Sequence, residues 1–164
     1  MPPKTTNATI LPSLFDRLTQ PENGPAVRQV GWNAALGQLK LSLRRDLEAL
    51  LNTRRRPGAL GDDLPELMRS SMRFGIPDFV AVNLGAQERQ AAFGRALERV
   101  IRDFEPRLAN VAVTLLPPPR GQDRTLCFRI EAMIRVEPAP EPIIFESVLD
   151  PISRTFSIKA ELDG

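Results

Sequence analysis

The apolar residues of this chain change their spacing once, at Pro106, and this change limits the folds that the chain can adopt. Before Pro106, apolar side chains recur every three or four residues, which is the spacing of one helix face. After Pro106 they alternate with polar residues, which is the pattern of a strand with one buried face. Helices followed by a run of strands predict an α+β fold, with two main helices packed on a largely antiparallel sheet of about four strands.

Two long helices are predicted before Pro106. The first ends near Asn52 and Thr53, and the second runs from about Gln87 to Phe104. Pro106 ends the second helix, because the residue before a proline is pushed out of the helical region. The two apolar stripes consist of Leu36, Leu39, Leu43, Leu47 and Leu50, and of Phe93, Leu97, Val100, Ile101 and Phe104. The strands are predicted within residues 111–115, 126–136, 143–149 and 156–162.

Residues 1–31 are predicted to form an extended N-terminal arm, followed by a single domain over residues 32–164. The arm is rich in proline, threonine, asparagine and glycine. The one tryptophan, Trp32, is placed with this arm. A short apolar patch interrupts the polar sequence, and we expect it to dock on the chain's own domain or on a neighbouring protein. Its residues are Leu11, Leu14, Phe15 and Leu18, together with Ile10.

The composition excludes several kinds of catalytic and metal site. The chain of 164 residues contains one cysteine, Cys127, and no histidine or tyrosine. A Ser–His or Cys–His nucleophile pair and a zinc site built on histidine or on several cysteines therefore cannot form. We expect no cofactor and no metal. No apolar run approaches the roughly 20 residues that span a bilayer, and the N-terminus lacks an apolar signal segment, so we expect a cytoplasmic protein without membrane insertion.

Charge is distributed unevenly along the chain. Residues 40–56 include six basic and two acidic side chains, whereas residues 137–163 include six acidic and two basic ones. A basic helix can bind nucleic acid, but the formal net charge is only +2 and no nucleic-acid-binding motif accompanies the cluster. We therefore favour a solvated helix face or a protein partner over nucleic acid.

Five phrases in order resemble the TssE family of type VI secretion baseplate wedge proteins, which belongs to the lysozyme-like group of contractile-tail baseplate proteins. The phrases are LPSLFDRL (11–18), LRRDLEALLNTRR (43–55), SMRFGIPDF (71–79), IRDFEPRL (101–108) and LCFRIEA (126–132). The resemblance implies a structural subunit that joins the wedge with TssF and TssG, near TssK. It also implies that the subunit helps the first ring of the contractile sheath, built from TssB and TssC, to assemble. It implies no small-molecule substrate.

The family's signature motif is matched by Glu105, Pro106 and Arg107. Pro106 would make a sharp corner from helix to strand, from which Glu105 and Arg107 project. The planar guanidinium of Arg107 suits a bidentate contact with a carboxylate of a partner, which we expect to be the wedge core. The alternative is an internal Glu–Arg clamp that holds the corner.

The last strand is a second candidate contact site, because an exposed strand can accept an extended segment of the sheath by strand addition. Its outward positions are Thr155, Ser157, Lys159 and Glu161.

The sequence leaves two alternative functions. The lysozyme-like label suggests a peptidoglycan-cleaving glycoside hydrolase with Glu105 as the acid. Arg107 would favour the charged carboxylate, and no second carboxylate stands in a recognisable sugar-binding context, so we expect no enzyme. The second alternative is a wedge subunit of a phage tail or of another contractile injector. Such a subunit would belong to a different system but would rest on the same physical interactions.

Overall fold

The computed structural model describes residues 10, 18–19, 31–55, 66, 70–77, 87–117, 125–150 and 152–160. These residues form two long helices, one short 3-10 turn and a four-stranded sheet. In chain order the elements are α1 (Trp32–Asn52), the 3-10 turn (Ser71–Arg73), α2 (Gln87–Phe104), β1 (Leu108–Leu116), β2 (Leu126–Ile134), β3 (Glu141–Asp150) and β4 (Thr155–Ala160). The α+β fold predicted from the sequence is therefore confirmed. No helix in these ranges is long and apolar enough to cross a membrane.

The four strands pair in their order along the chain, β1-β2-β3-β4, and every neighbouring pair is antiparallel. The strands β1 and β4 are therefore the two edges of the sheet. The pairing of β1 with β2 shifts register between Ala109 and Ala112. Asn110 lies inside this irregularity with a φ of 52°, as expected where an extra residue is accommodated in one strand.

The core lies between the helices and one face of the sheet. The predicted leucine stripe of α1 is buried at Leu39, Leu43, Leu47 and Leu50, and α1 lies over β4. The stripe of α2 is buried from Phe93 to Ile101, and α2 lies over β1. The sheet contributes its largest buried side chains through Phe128, Phe145 and Phe156. Each fully buried side chain of this size stabilises the fold by about 2–3 kcal/mol.

Some element boundaries differ from those predicted. Trp32, which the sequence associates with the arm, is the first residue of α1. The strand β3 begins at Glu141 and so includes Pro142, which pairs with Met133 of β2. Alternate residues of β3 direct their backbone groups to β2 or to β4, and Pro142 falls in the set that faces β4. Because β4 as described ends opposite Phe145, the missing N–H of Pro142 removes no bond from that pairing. Leu162, the last residue of the predicted apolar alternation, lies outside the described residues.

The end of α1 is held by a close backbone approach at Gly75. The N–H of Ile76 donates to the Thr53 carbonyl at 2.9 Å, and the N–H of Arg55 donates to the Ile76 carbonyl at 2.8 Å. Gly75 has a φ of +100°, and a Cβ at this position would lie 2.4 Å from the Thr53 carbonyl oxygen. Only glycine combines this backbone conformation with the space available.

We predict that Gly75→Ala lowers the free energy of unfolding by about 2–4 kcal/mol, because the methyl group meets backbone and the φ is unfavourable for alanine. Urea unfolding followed by circular dichroism measures this loss. Gly37→Ala is the matched control: Gly37 lies in α1 with nothing within 4 Å of its added Cβ. It should stabilise the fold by about 0.5–1 kcal/mol. Equal effects of the two substitutions would contradict the assignment of Gly75.

Candidate functional site

The predicted corner between helix and strand is present at Glu105, Pro106 and Arg107. The N–H of Glu105 makes the last helical hydrogen bond of α2, to the Ile101 carbonyl at 2.8 Å. The N–H of Leu108 then donates to the Glu105 carbonyl at 3.1 Å and closes the turn. Pro106 is exposed at the tip and offers no N–H. The chain therefore reverses within three residues, between the end of α2 and the start of β1.

Glu105 is buried, with 5% of its surface exposed, and it is paired with Arg107. The Arg107 Nε donates to Glu105 Oε1 at 2.7 Å, and the Nη2 of the same side chain donates to Oε2. The backbone N–H of Arg107 also lies 3.3 Å from Oε1. This is a two-pronged, charge-assisted contact, and it supplies the partner that a buried carboxylate requires.

Helix α1 contributes a second carboxylate to Arg107. Asp46 Oδ2 accepts a hydrogen bond from Arg107 Nη2 at 2.7 Å, while its Oδ1 is 3.1 Å from Arg45 Nη2. The buried Ser42 places its hydroxyl 3.5 Å from Arg107 Nη1. We call Ser42, Asp46, Glu105 and Arg107 the arginine clamp. It joins α1 to the corner between α2 and β1.

The clamp holds Arg107 in its charged form. The hydrogen bond to Glu105 is the largest cause of a pKa raised above the usual arginine range, and the hydrogen bond to Asp46 adds to it against the cost of burial. The Nε and Nη2 groups are both used inside the chain, so Nη1 is the group least committed to it. The bidentate edge that the sequence assigned to a partner is thus occupied within the chain by Glu105.

Sequence reasoning identified Glu105 and Arg107 but missed Ser42 and Asp46. These two residues lie four positions apart on α1, so they share one helix face. That spacing was the available signal. It was not decisive, because Asp46 and Arg107 are 61 residues apart in the chain. The internal contacts match the alternative interpretation of the motif, while a contact of the same residues with the wedge stays a prediction.

The edge strand β4 presents the positions that the sequence singled out. Thr155, Ser157 and Lys159 are exposed on the face of the sheet away from the core, whereas Phe156 and Ile158 are buried. Glu161 lies outside the described residues. The structure adds a contact that the sequence did not predict. Asn52, the last residue of α1, accepts the Phe156 N–H at 2.8 Å and donates its side-chain amide to the Phe156 carbonyl at 3.0 Å.

The other edge strand, β1, is approached by α2. The Val113 N–H lies 3.4 Å from Glu98 Oε1, and a Cβ added at Gly94 would lie 3.8 Å from the Val113 carbonyl oxygen. Helix α2 therefore occupies the middle of the β1 edge with both a side chain and its own backbone. The β4 edge likewise receives a helix side chain, that of Asn52 at Phe156.

The apolar patch of the N-terminal arm is described only in part. Ile10 packs against the hydrophobic core, so the arm docks on its own domain at this residue. Leu18 has 75% of its surface exposed. Leu11, Leu14 and Phe15 lie outside the described residues, and their docking stays a prediction.

The basic cluster near the end of α1 and the thiol of Cys127 could suggest other functions, but their side chains are hydrogen-bonded within the chain or buried. In the basic cluster near the end of α1, Arg54 donates to the Arg154 carbonyl, and burial together with Arg73 lowers the pKa of Arg55. Burial, and then the charge of Glu146, raises the pKa of the Cys127 thiol, which makes it a poor nucleophile. Within the described ranges, no three histidine, cysteine, aspartate or glutamate side chains come together in a way that could hold a metal ion.

Comparison with known proteins identifies a family and a structural neighbour. A family model described as "Baseplate wedge protein gp25" matches residues 37–139. A solved structure titled "The baseplate complex from the type VI secretion system" contains a chain with 18% identity and a TM-score of 0.46. That similarity covers 70% of this chain and 96% of the other. No curated protein matches the chain.

We predict that Arg107→Ala lowers the free energy of unfolding by about 3 kcal/mol, because it leaves the buried Glu105 carboxylate without its charged partner. Urea unfolding at pH 7 measures the loss. Arg129→Ala is the control, because Arg129 and Glu146 form an exposed cross-strand pair at 3.3 Å and such pairs contribute about 1 kcal/mol or less. Losses of similar size in the two variants would show that the arginine clamp does not stabilise the fold.

Proposed function

The chain belongs to the family of baseplate wedge protein gp25, and from this premise we propose that it is a structural, non-enzymatic wedge subunit of a type VI secretion system. The family match spans residues 37–139, which include most of α1, the corner at Pro106 and the first two strands. The five phrases that resemble the TssE family support the type VI system in particular. The same resemblance supports a cytoplasmic location and contacts with TssF, TssG and TssK in the wedge.

The observation that carries the non-enzymatic part of the proposal is the state of Glu105. A general acid must hold a proton and reach the bond that it cleaves. Both carboxylate oxygens of Glu105 instead accept hydrogen bonds from Arg107, and the side chain is buried, so neither oxygen is placed to reach a substrate. The glutamate that a lysozyme-like hydrolase would use is therefore part of the arginine clamp.

The corner itself is the surface that we propose for the wedge contact. Pro106 is exposed at its tip, and beside it Arg107 keeps 28% of its side-chain surface exposed. The clamp holds both residues between α1 and the sheet, so the corner is pre-organised. A partner that binds a rigid surface loses less conformational entropy on association. A carbonyl or carboxylate of the partner would be received by Arg107 Nη1.

The exposed strand β4 is the surface that we propose for the sheath. Asn52 meets its edge at Phe156, and past that residue its backbone groups could hydrogen-bond to a strand of TssB or TssC. Through this contact the subunit would template the first sheath ring. The wedge contact and the sheath contact are then separate surfaces, one at the corner between α2 and β1 and one at the far edge of the sheet.

We predict that Arg107→Ala prevents entry into the wedge, whereas Asp46→Ala does not. Both variants lose the ion pair between Arg107 and α1, but only Arg107→Ala removes Nη1. Co-expression with TssF and TssG, followed by size-exclusion chromatography at a temperature where circular dichroism shows both variants folded, separates the two effects. Recovery of Arg107→Ala in the wedge would contradict the contact. Loss of both variants would assign the effect to the fold.

We also predict that the purified chain releases no dye-labelled fragments from peptidoglycan. The matched control is Glu105→Gln, which removes the charge of the only glutamate proposed as an acid. Release by the natural chain that disappears in Glu105→Gln would overturn the non-enzymatic assignment.

A further inference from the structure

The Asn52 side chain imitates a neighbouring strand at one position of β4. A neighbouring strand offers an N–H to a carbonyl and a carbonyl to an N–H, and the Asn52 amide offers both groups to the same residue, Phe156. The two distances, 3.0 and 2.8 Å, are ordinary hydrogen-bond distances. At Phe156 the edge of the sheet is therefore already closed by the chain itself.

The position of this contact shows which backbone groups of β4 face outward. In an antiparallel ladder, each residue directs its N–H and its carbonyl to the same side, and successive residues alternate between the two sides. Because Phe156 directs both groups to Asn52, the backbone groups of Ile158 and Ala160 also point away from β3. Those of Thr155, Ser157 and Lys159 point towards β3. Past Phe156, the described edge therefore offers Ile158 and Ala160 to a partner.

A row of alternating charge crosses the exposed face of the sheet and ends at Lys159. Arg129 of β2 pairs with Glu146 of β3, and Glu146 pairs with Lys159 of β4. The Arg129 guanidinium lies 3.3 Å from the Glu146 carboxylate. Side chains directly opposite one another on neighbouring strands are stabilised when their charges are opposite. The next strand in this row would therefore place a carboxylate beside Lys159.

We propose that β4 accepts an added strand of a partner protein from Ile158 onward, that Asn52 stops this strand before Phe156, and that the strand carries an acidic residue beside Lys159. The proposal rests on the proposed contact of β4 with the sheath. Residues of the added strand that lie beside Ile158 and Ala160 face the helix side of the sheet. Because Ile158 is buried, the residue of the added strand beside it would be apolar.

The first test needs only the isolated chain. Amide hydrogen exchange followed by NMR should show slow exchange of the Phe156 N–H, and Asn52→Ala should accelerate it at least tenfold. The Ser157 N–H, which points towards β3, is the internal control and should change little. Rapid exchange of the Phe156 N–H in the natural chain would overturn the role of Asn52, whatever the partner is.

The second test uses the wedge assembled with TssB and TssC. The amides of Ile158 and Ala160 should gain protection when the sheath subunits are present, and the Phe156 amide should gain protection from them only in Asn52→Ala. Unchanged exchange at Ile158 and Ala160 in a particle that has recruited the sheath would overturn strand addition at β4. It would leave the membership of the wedge intact.

The third test addresses the charge. Lys159→Glu should lower the amount of sheath recovered with the wedge at least tenfold at low salt, while entry into the wedge is unchanged. Thr155→Glu places the same charge on the same exposed face of β4, but before Phe156, where Asn52 closes the edge. It should have no effect on sheath recovery. Full sheath recovery with Lys159→Glu would overturn the acidic partner residue. Loss of wedge entry would instead count against the proposed function.

Discussion

The ion pairs of Arg107 are the interaction on which the arrangement of this molecule depends. One guanidinium joins the buried Glu105 at the end of α2, the start of β1 and Asp46 of α1. The interior disfavours a carboxylate that has lost its partner, so the corner and the first helix are held in one geometry. Glu105 and Arg107 therefore first stabilise the fold. Any partner at this corner meets a surface whose shape is set before binding.

The two edges of the sheet are treated differently by the two helices. Helix α2 crosses close to the middle of β1, where both Glu98 and the backbone at Gly94 approach Val113. Helix α1 lies over β4 and reaches its edge with the amide of Asn52. An exposed edge is a site of uncontrolled pairing unless it is covered or charged. Here Glu98 reaches one edge at Val113, and the other edge is closed at Phe156 by Asn52 and carries Lys159.

Much of the fold could be predicted from the sequence, because the signals for it are local. The leucine spacing located α1 and its end at Asn52, and Pro106 located the end of α2. Alternation located all four strands. The strand β3 starts two residues earlier than the apolar pattern indicates, because the missing N–H of Pro142 lies on the side of β4, beyond the described end of that strand. The clamp partner Asp46 and the contact of Asn52 with Phe156 could not be predicted. Both depend on which elements become neighbours, and neither spacing nor propensity carries that information.

The backbone contact at Gly75 has a consequence for the sheet. Asn52 is followed by Thr53, whose carbonyl oxygen leaves room for nothing larger than a hydrogen atom at Gly75. The segment around residue 75 thus anchors the very end of the helix that supplies the amide at Phe156. The turn at Gly75 is remote in sequence from β4, but through the position of Asn52 it sets how much of the β4 edge stays open. Evolution could lengthen or shorten the accepting edge by reshaping this turn, with every residue of β4 left as it is.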